Sequence, residues 1–218
     1  MAGQLLRRPL LGTHPARGGP VGSDGEPTAP PIGVSLRPLG PLTDGVVTLR
    51  PFTPADATAV TEACQDPEIP HWTLAVPSPY TETHARAWIG LHGAAFAEAR
   101  EANLAVTAAD GGDLVGSISL IRLNWDLGTG RIGYWVAAPS RRRGYASRAL
   151  LLVSDWAFGT LGLLTLELLT VVGNVASEGV ATATDYLTSG RIDQIVPPGG
   201  PPPVPVRRWL RSVGSDPG

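Results

Sequence analysis

Between residues 45 and 186 the apolar residues recur now with a period of two, now with a period of about 3.6. This repeated switching constrains the fold more than any other feature. Alternation predicts a strand at 46–50. Thr53 then stands where a helix N-cap belongs, with Pro54 in the first turn, and predicts a helix running to about Cys64. Pro67, Pro70, Pro77 and Pro79 predict loop across 66–80, and Thr81 caps a longer helix through about Arg100. Period-two segments follow at 104–108, 114–123 and 131–137, joined by a Gly111-Gly112 turn and a loop over 126–130. Connections this short favour an antiparallel meander. A helix over 145–158, a strand over 164–171 and a short helix from about Val175 complete the series. The order β-α-α-β-β-β-α-β-α predicts an α/β fold, a mixed sheet covered by helices. The helix at 145–158 carries Ala149, Leu150, Leu151, Leu152, Val153 and Trp156, is apolar on almost every side, and is expected to lie buried against the sheet.

The flanks read differently. Residues 1–44 hold eight Gly and eight Pro without helix or strand periodicity, and predict a disordered segment. Arg7-Arg8 resembles the start of a twin-arginine leader, but Pro9 and the Gly/Pro-rich run to Pro20 leave no apolar stretch behind it, so a cytoplasmic location is expected. Residues 187–218 are expected to form an atypical Pro-rich segment, with six Pro and two Gly in 197–206 and one candidate last strand at 206–213. The candidate domain is therefore 45–186.

Composition removes several classes of function. All seventeen basic residues are arginine, and without lysine no side-chain Schiff base can form. Cys64 is the only cysteine, and no Cys/His spacing reads as a zinc site, so neither an internal disulfide nor a metal is expected. A net charge of −2 supplies no general attraction to nucleic acid or anionic lipid, and neither is an expected partner. No Gly-x-Gly-x-x-Gly follows an N-terminal strand, which disfavours a dinucleotide-binding oxidoreductase.

The segment most suggestive of chemistry is 136–150, where a strand ends, a short Arg/Gly loop follows and an apolar helix begins at once. The first N–H groups of a helix lack internal partners, and the partial positive charge there favours an anion, so such a junction is suited to phosphate. Gly144 and Ala146 are small enough to let a phosphate approach the backbone. Residues 45–186 carry nine Arg against fourteen Asp and Glu, yet Arg141, Arg142, Arg143 and Arg148 fall within eight positions. A solvated arginine run is the alternative reading, but cations at a helix start oppose the dipole, and an unfavourable placement suggests a use.

Arg141-x-x-Gly144-x-Ala146 resembles the acyl-CoA pyrophosphate loop of the GCN5-related N-acetyltransferases (GNAT), and its surroundings resemble the branch of the ribosomal-protein acetyltransferases RimJ and RimL. The supporting segments are Thr48-Leu49-Arg50-Pro51, Pro77-Ser78-Pro79-Tyr80-Thr81, Val115-Gly116-Ser117-Ile118-Ser119-Leu120, Ile132-Gly133-Tyr134-Trp135-Val136 and Asn174-Val175-Ala176-Ser177, all in the family's order. The resemblance implies a mostly antiparallel twisted sheet with helices on both faces, splayed between the strands at 131–137 and 164–171. It implies acetyl-CoA as co-substrate, its pantetheine paired with backbone near Val136 and Ala138, its pyrophosphate on the loop formed by Arg141, Arg142, Arg143, Gly144, Tyr145 and Ala146, and Asn174 within reach of the pantetheine. A main-chain N–H, expected at Val136, would polarise the thioester carbonyl.

The implied reaction is direct attack by a primary amine, which needs a base and an acid. Many relatives place an acidic tyrosine seven residues after the motif asparagine, a slot filled here by Ala181, so the acid is expected at Ser177; the alternative is a helix-surface serine near a cap. Glu167 is the family-like carboxylate for the base, with a solvated strand residue or a water-relayed base as alternatives. His71-Trp72 falls where relatives contact the acceptor, whereas His84 and His92 read as surface or core-edge residues. The acceptor is expected to be a small amine or a protein N-terminus, and the protein a monomer or homodimer. In relatives a Gly-Phe pair and two closing strands follow; here Asp185-Tyr186 stands in the Gly-Phe slot, and 187–203 shows little strand pattern. An acyl-CoA-binding module with impaired turnover is the alternative function.

Overall fold

The computed structural model describes residues 25–36, 42–110, 112–197 and 202–214. Arg7-Arg8 and the rest of 1–24, 37–41, Gly111 and 198–201 lie outside the described residues. The elements run β1 (Leu42–Thr43), β2 (Val47–Pro51), α1 (Ala57–Ala63), α2 (Glu68–Thr73), α3 (Glu82–Ala97), β3 (Ala102–Ala108), β4 (Leu114–Asn124), β5 (Thr129–Val136), α4 (Tyr145–Gly159), β6 (Thr165–Val171), α5 (Val175–Ala183), β7 (Leu187–Ile195) and β8 (Val204–Ser212). One sheet holds all eight strands in the order β1-β2-β3-β4-β5-β6-β8-β7. Every neighbouring pair is antiparallel except β5 and β6.

Helices cover both faces. On one face α4 buries Ala149, Leu150, Val153, Trp156 and Ala157, a stripe at helical spacing, against Leu104, Ile118, Leu120, Ile132 and Leu166 of the sheet. On the other, α1 to α3 close a second core of Val60, Cys64, Ile69, Tyr80, Ala85 and Ile89. Neighbouring β5 residues serve the two cores separately: Tyr134 packs against the first and Trp135 against the second, as strand alternation requires.

Three expectations need correction. Residues 66–80 are not all loop, because α2 forms over Glu68–Thr73. Pro70 is tolerated because it sits in the first turn, where its missing N–H would have had no helical partner. The stretch 25–36 has a defined course: Leu36 is fully buried, Asn124 Nδ2 donates to Glu26 O at 2.6 Å, and Thr28 Oγ1 accepts from Trp125 N at 2.9 Å. The C-terminal region contributes two strands, with β8 inserted between β6 and β7 and burying Val206 and Trp209. Asp185 takes the left-handed conformation, at φ 61°, and lets Tyr186 turn into the core, where it is 2% exposed and bonded to Ser154 Oγ at 2.9 Å.

Candidate active site

β5 and β6 pair in parallel only from Thr129↔Thr165 to Ile132↔Leu168. Beyond that point β5 continues to Val136 paired with β4, and β6 continues to Val171 paired with β8. The two strands therefore part at their C-terminal ends. Ala137 N donates to Val115 O at 2.9 Å, which fixes the alternation along β5 and turns the main-chain groups of Tyr134 and Val136 away from β4 toward the gap. The Val136 carbonyl accepts from Arg141 Nε at 3.2 Å, leaving the Val136 N–H directed at the opening. A cleft of about 1650 Å³ occupies this gap and extends beneath α1 to α3; Val136, Gly144, Leu168, Thr170, Asn174 and Ser177 line its wedge end.

The loop after β5 has the backbone an anion site needs. Arg142 and Gly144 are both left-handed, at φ 61° and 78°, a conformation that turns consecutive N–H groups to one side. Gly144 is the N-cap of α4, and among the described residues no side chain caps the helix, so its first amides keep their capacity to bind an anion. A Cβ added at Gly144 would meet nothing within 4 Å among the described residues beyond its chain neighbours; the left-handed dihedral favours glycine, and the space beside it is open. Gly144, Tyr145, Ala146 and Arg142 line the cleft, whereas Arg143 is exposed outside it. The Arg141 side chain is otherwise engaged: besides Val136 O it holds the Asp66 carboxylate, just before α2. Arg148 pairs with Asp44 at 2.6 Å.

Asn174 caps α5, its Oδ1 accepting from Ser177 N at 3.1 Å. That places Ser177 in the first turn with its hydroxyl at 2.7 Å from the Tyr134 hydroxyl, across the wedge from β5. Burial pushes the Tyr134 phenol up to about 12 against a smaller opposing effect of that hydrogen bond. Ala181, in the tyrosine slot of relatives, is fully buried.

Two expected site residues are placed elsewhere. Glu167 is not at the cleft wall: Arg131 Nε donates to its Oε2 and Arg208 is ion-paired with its Oε1, so both oxygens are engaged by guanidinium groups beside the paired part of the sheet. Ala138 does not extend the strand edge, because β5 ends at Val136 and Ala138 opens a single 3-10 turn imposed by Pro139. The far arm of the cleft is lined by Ile69, Trp72, Tyr80, Trp88 and Trp135, with Trp72 Nε1 bonded to Glu68 Oε2 at 2.7 Å; His71 stacks edge-on to Trp72 but stays outside. Glu101, which sequence reasoning passed over as an ordinary charge at a helix–strand junction, lines the same cleft with its carboxyl raised by burial. Pro27, Thr28, Ala29 and Pro30 close one side, a role that their lack of periodicity conceals.

The family described as "Acetyltransferase (GNAT) domain" matches residues 47–186. The chain belongs to the GNAT acetyltransferase family. Its sequence matches none of the curated proteins. Its GNAT fold is shared with Mycobacterium smegmatis RimJ in complex with CoA-disulfide, at 21% identity and TM-score 0.66, covering 82% of this chain and 88% of that one. It is shared equally with a GNAT acetyltransferase of Bacillus anthracis, at 20% identity and TM-score 0.66, covering 77% and 95%. RimL, the ribosomal L7/L12 α-N-protein acetyltransferase, in complex with coenzyme A, aligns at 15% identity and TM-score 0.66, covering 81% and 98%. The GNAT match ends at Tyr186, yet the alignments span nearly the whole of these structures, in keeping with a sheet that continues through β7 and β8.

Proposed function

We propose that this GNAT protein transfers the acetyl group of acetyl-CoA to a primary amine, a peptide or protein N-terminus or a small amine, by direct attack. The observation that carries this reading is the parting of β5 from β6 beside the uncapped, left-handed start of α4. The open edge of β5 offers main-chain groups to the amides of a pantetheine arm, as an added strand would. The amides of 142–146 suit its pyrophosphate, with Arg141 and Arg142 of the loop both lining the cleft, Arg141 already paired with Asp66, and Asn174 lies alongside. When bound, acetyl-CoA supplies an activated acyl group.

The chain's own residues supply the rest. Val136 N–H faces the opening and serves as oxyanion donor. Ser177 acts as the acid. The base is water-relayed, since Glu167 is held by two guanidinium groups away from the cleft. The acceptor enters through the aromatic arm, whose Trp72, Trp88 and Trp135 suit an amine joined to an apolar body. The binding-only alternative drew on a C-terminus without closing strands, and β7 and β8 remove that ground.

The test follows thiol release from acetyl-CoA across a panel of small amines and short peptides. Amine-dependent release is expected. Coenzyme binding without release for any amine would favour the binding-only module.

A further inference from the structure

Ser177 and Tyr134 form a hydroxyl pair that no part of the reading above explains. Tyr134 reaches it from β5 and Ser177 from α5, and the two oxygens are 2.7 Å apart. Their surroundings are apolar: Ile132 precedes on the same face of β5 at 2% exposure, Leu168 faces it from β6 at 2%, and Ala181 lies one helical turn beyond Ser177, fully buried. The pair itself is half-buried and lines the cleft, so each hydroxyl hydrogen must find its acceptor either within the pair or in that opening.

The pair can be arranged in two ways. If Ser177 donates to Tyr134, the phenol's own hydrogen has the Ser177 main-chain oxygen at 3.4 Å, at the limit of hydrogen-bond distance, or the cleft that Tyr134 also lines. If Tyr134 donates to Ser177 Oγ, the short contact is used by the better acid, and the serine hydrogen is left over. Asn174 already satisfies Ser177 N, so the serine hydroxyl is not spent on capping its own helix. Ser177 lines the cleft, and its remaining hydrogen has that opening to point into.

We propose that Tyr134 is a positioning residue for Ser177: its O–H donates to Ser177 Oγ and so directs the serine's single hydrogen at the departing sulfur. This rests on the reading of Ser177 as the acid. As the carbon–nitrogen bond forms and the carbon–sulfur bond breaks, the electron pair of the broken bond goes to sulfur, and the Ser177 proton follows it. As that proton leaves, the Tyr134 proton shifts along the short hydrogen bond toward Ser177 Oγ, so the charge is carried by the pair until solvent returns a proton to it. The proton given up by the amine nitrogen passes to cleft water and returns through solvent to Ser177, so the enzyme ends as it began. Burial keeps the phenol protonated, and therefore a donor, throughout the range in which an amine is reactive.

The experiment is a double-mutant cycle of Tyr134→Phe, Ser177→Ala and the double variant, reading kcat and KM by thiol release and the acetyl-CoA Kd by calorimetry. Tyr134→Phe is expected to lower kcat roughly 10- to 100-fold with Kd within about twofold of wild type. The double variant is expected to be no slower than Ser177→Ala alone, since the two act as one unit. Tyr134→His, which retains a donor, is expected to recover part of kcat. A Tyr134→Phe enzyme with unchanged kcat, or losses that multiply in the double variant, would overturn the proposal. If Ser177→Ala itself keeps full kcat, the acid assignment and this inference both fall while the transferase reading stands. A wild type that binds no acetyl-CoA defeats all three.

Discussion

Arg141 and Asp66 tie the loop before α4 to the start of α2, beside the aromatic arm of the cleft. One Asp66 oxygen holds the Arg141 guanidinium, and the other accepts from Glu68 N at 3.1 Å, at the start of α2. Arg141 in turn grips the end of β5 through Val136 O. The same arginine that the family motif assigns to the coenzyme lines the cleft and at the same time braces the loop through these two contacts.

The brace makes a discriminating prediction. Arg141→Ala and Asp66→Ala should each weaken acetyl-CoA binding by a similar factor, on the order of fivefold for a partly exposed ion pair worth about 1 kcal/mol, and the double variant should lose no more. Calorimetry on the four proteins measures this. If Arg141 bound the diphosphate directly, Arg141→Ala would cost far more than Asp66→Ala.

Asp56 should govern stability in strong acid. Arg50 pairs with it at 2.7 Å, and Thr53 N and Oγ1 both donate to it; with the Arg50 hydrogen bond as the largest cause, its carboxyl is held down at about 2. A depressed carboxyl contributes stability that is complete above its unfolded value near 3.8 and is lost as pH falls toward 2. Asp56→Asn should therefore cost about 2 kcal/mol at pH 7 and flatten the stability profile below pH 4, as chemical denaturation across pH would read.

His92 should set the sensitivity to mild acid. It is 8% exposed, packed edge-on against Trp88 at 4.3 Å between ring centroids, and burial holds its imidazole down at about 4. The fold prefers the neutral ring, so stability is complete above about 6.5 and falls by about 1.4 kcal/mol per pH unit between there and 4. His92→Phe should remove that slope while leaving the melting temperature at pH 8 little changed.

Trp209 anchors β8. It is 7% exposed, and its Nε1 donates to Thr170 Oγ1 at 2.9 Å. Trp209→Ala should cost roughly 3–5 kcal/mol, measured by denaturant melts, because it opens a cavity beside β6 at the wall of the cleft.

The C-terminal strands also show where sequence patterning stops being informative. β7 is exposed on both faces apart from Asp193 and Ile195, so no alternation marks it; it forms because β8 presents an unpaired edge. Asp193 is buried between Arg191 of its own strand at 2.9 Å and Arg208 of β8 at 2.8 Å, and the second partner is not visible locally. By contrast β3 to β6, α3 and α4 are each buried on a regular stripe or as a continuous apolar run, and their ends fall within a few residues of the pattern. The loop at 141–146 is legible because glycine and the helix start are local features. The Tyr134–Ser177 pair and the double arginine clamp on Glu167 join residues 43 and 36 positions apart, and no local signal carries them.

Calorimetric titration of acetyl-CoA into wild type and Gly144→Glu tests most directly whether the start of α4 holds the coenzyme. The substitution forces a side chain onto a residue at φ 78° and sets a carboxylate against the amides meant for a diphosphate. Wild type is predicted to bind and the variant, still folded by its melting curve, to bind at least about tenfold more weakly. Equal affinity in the two proteins would contradict the assignment.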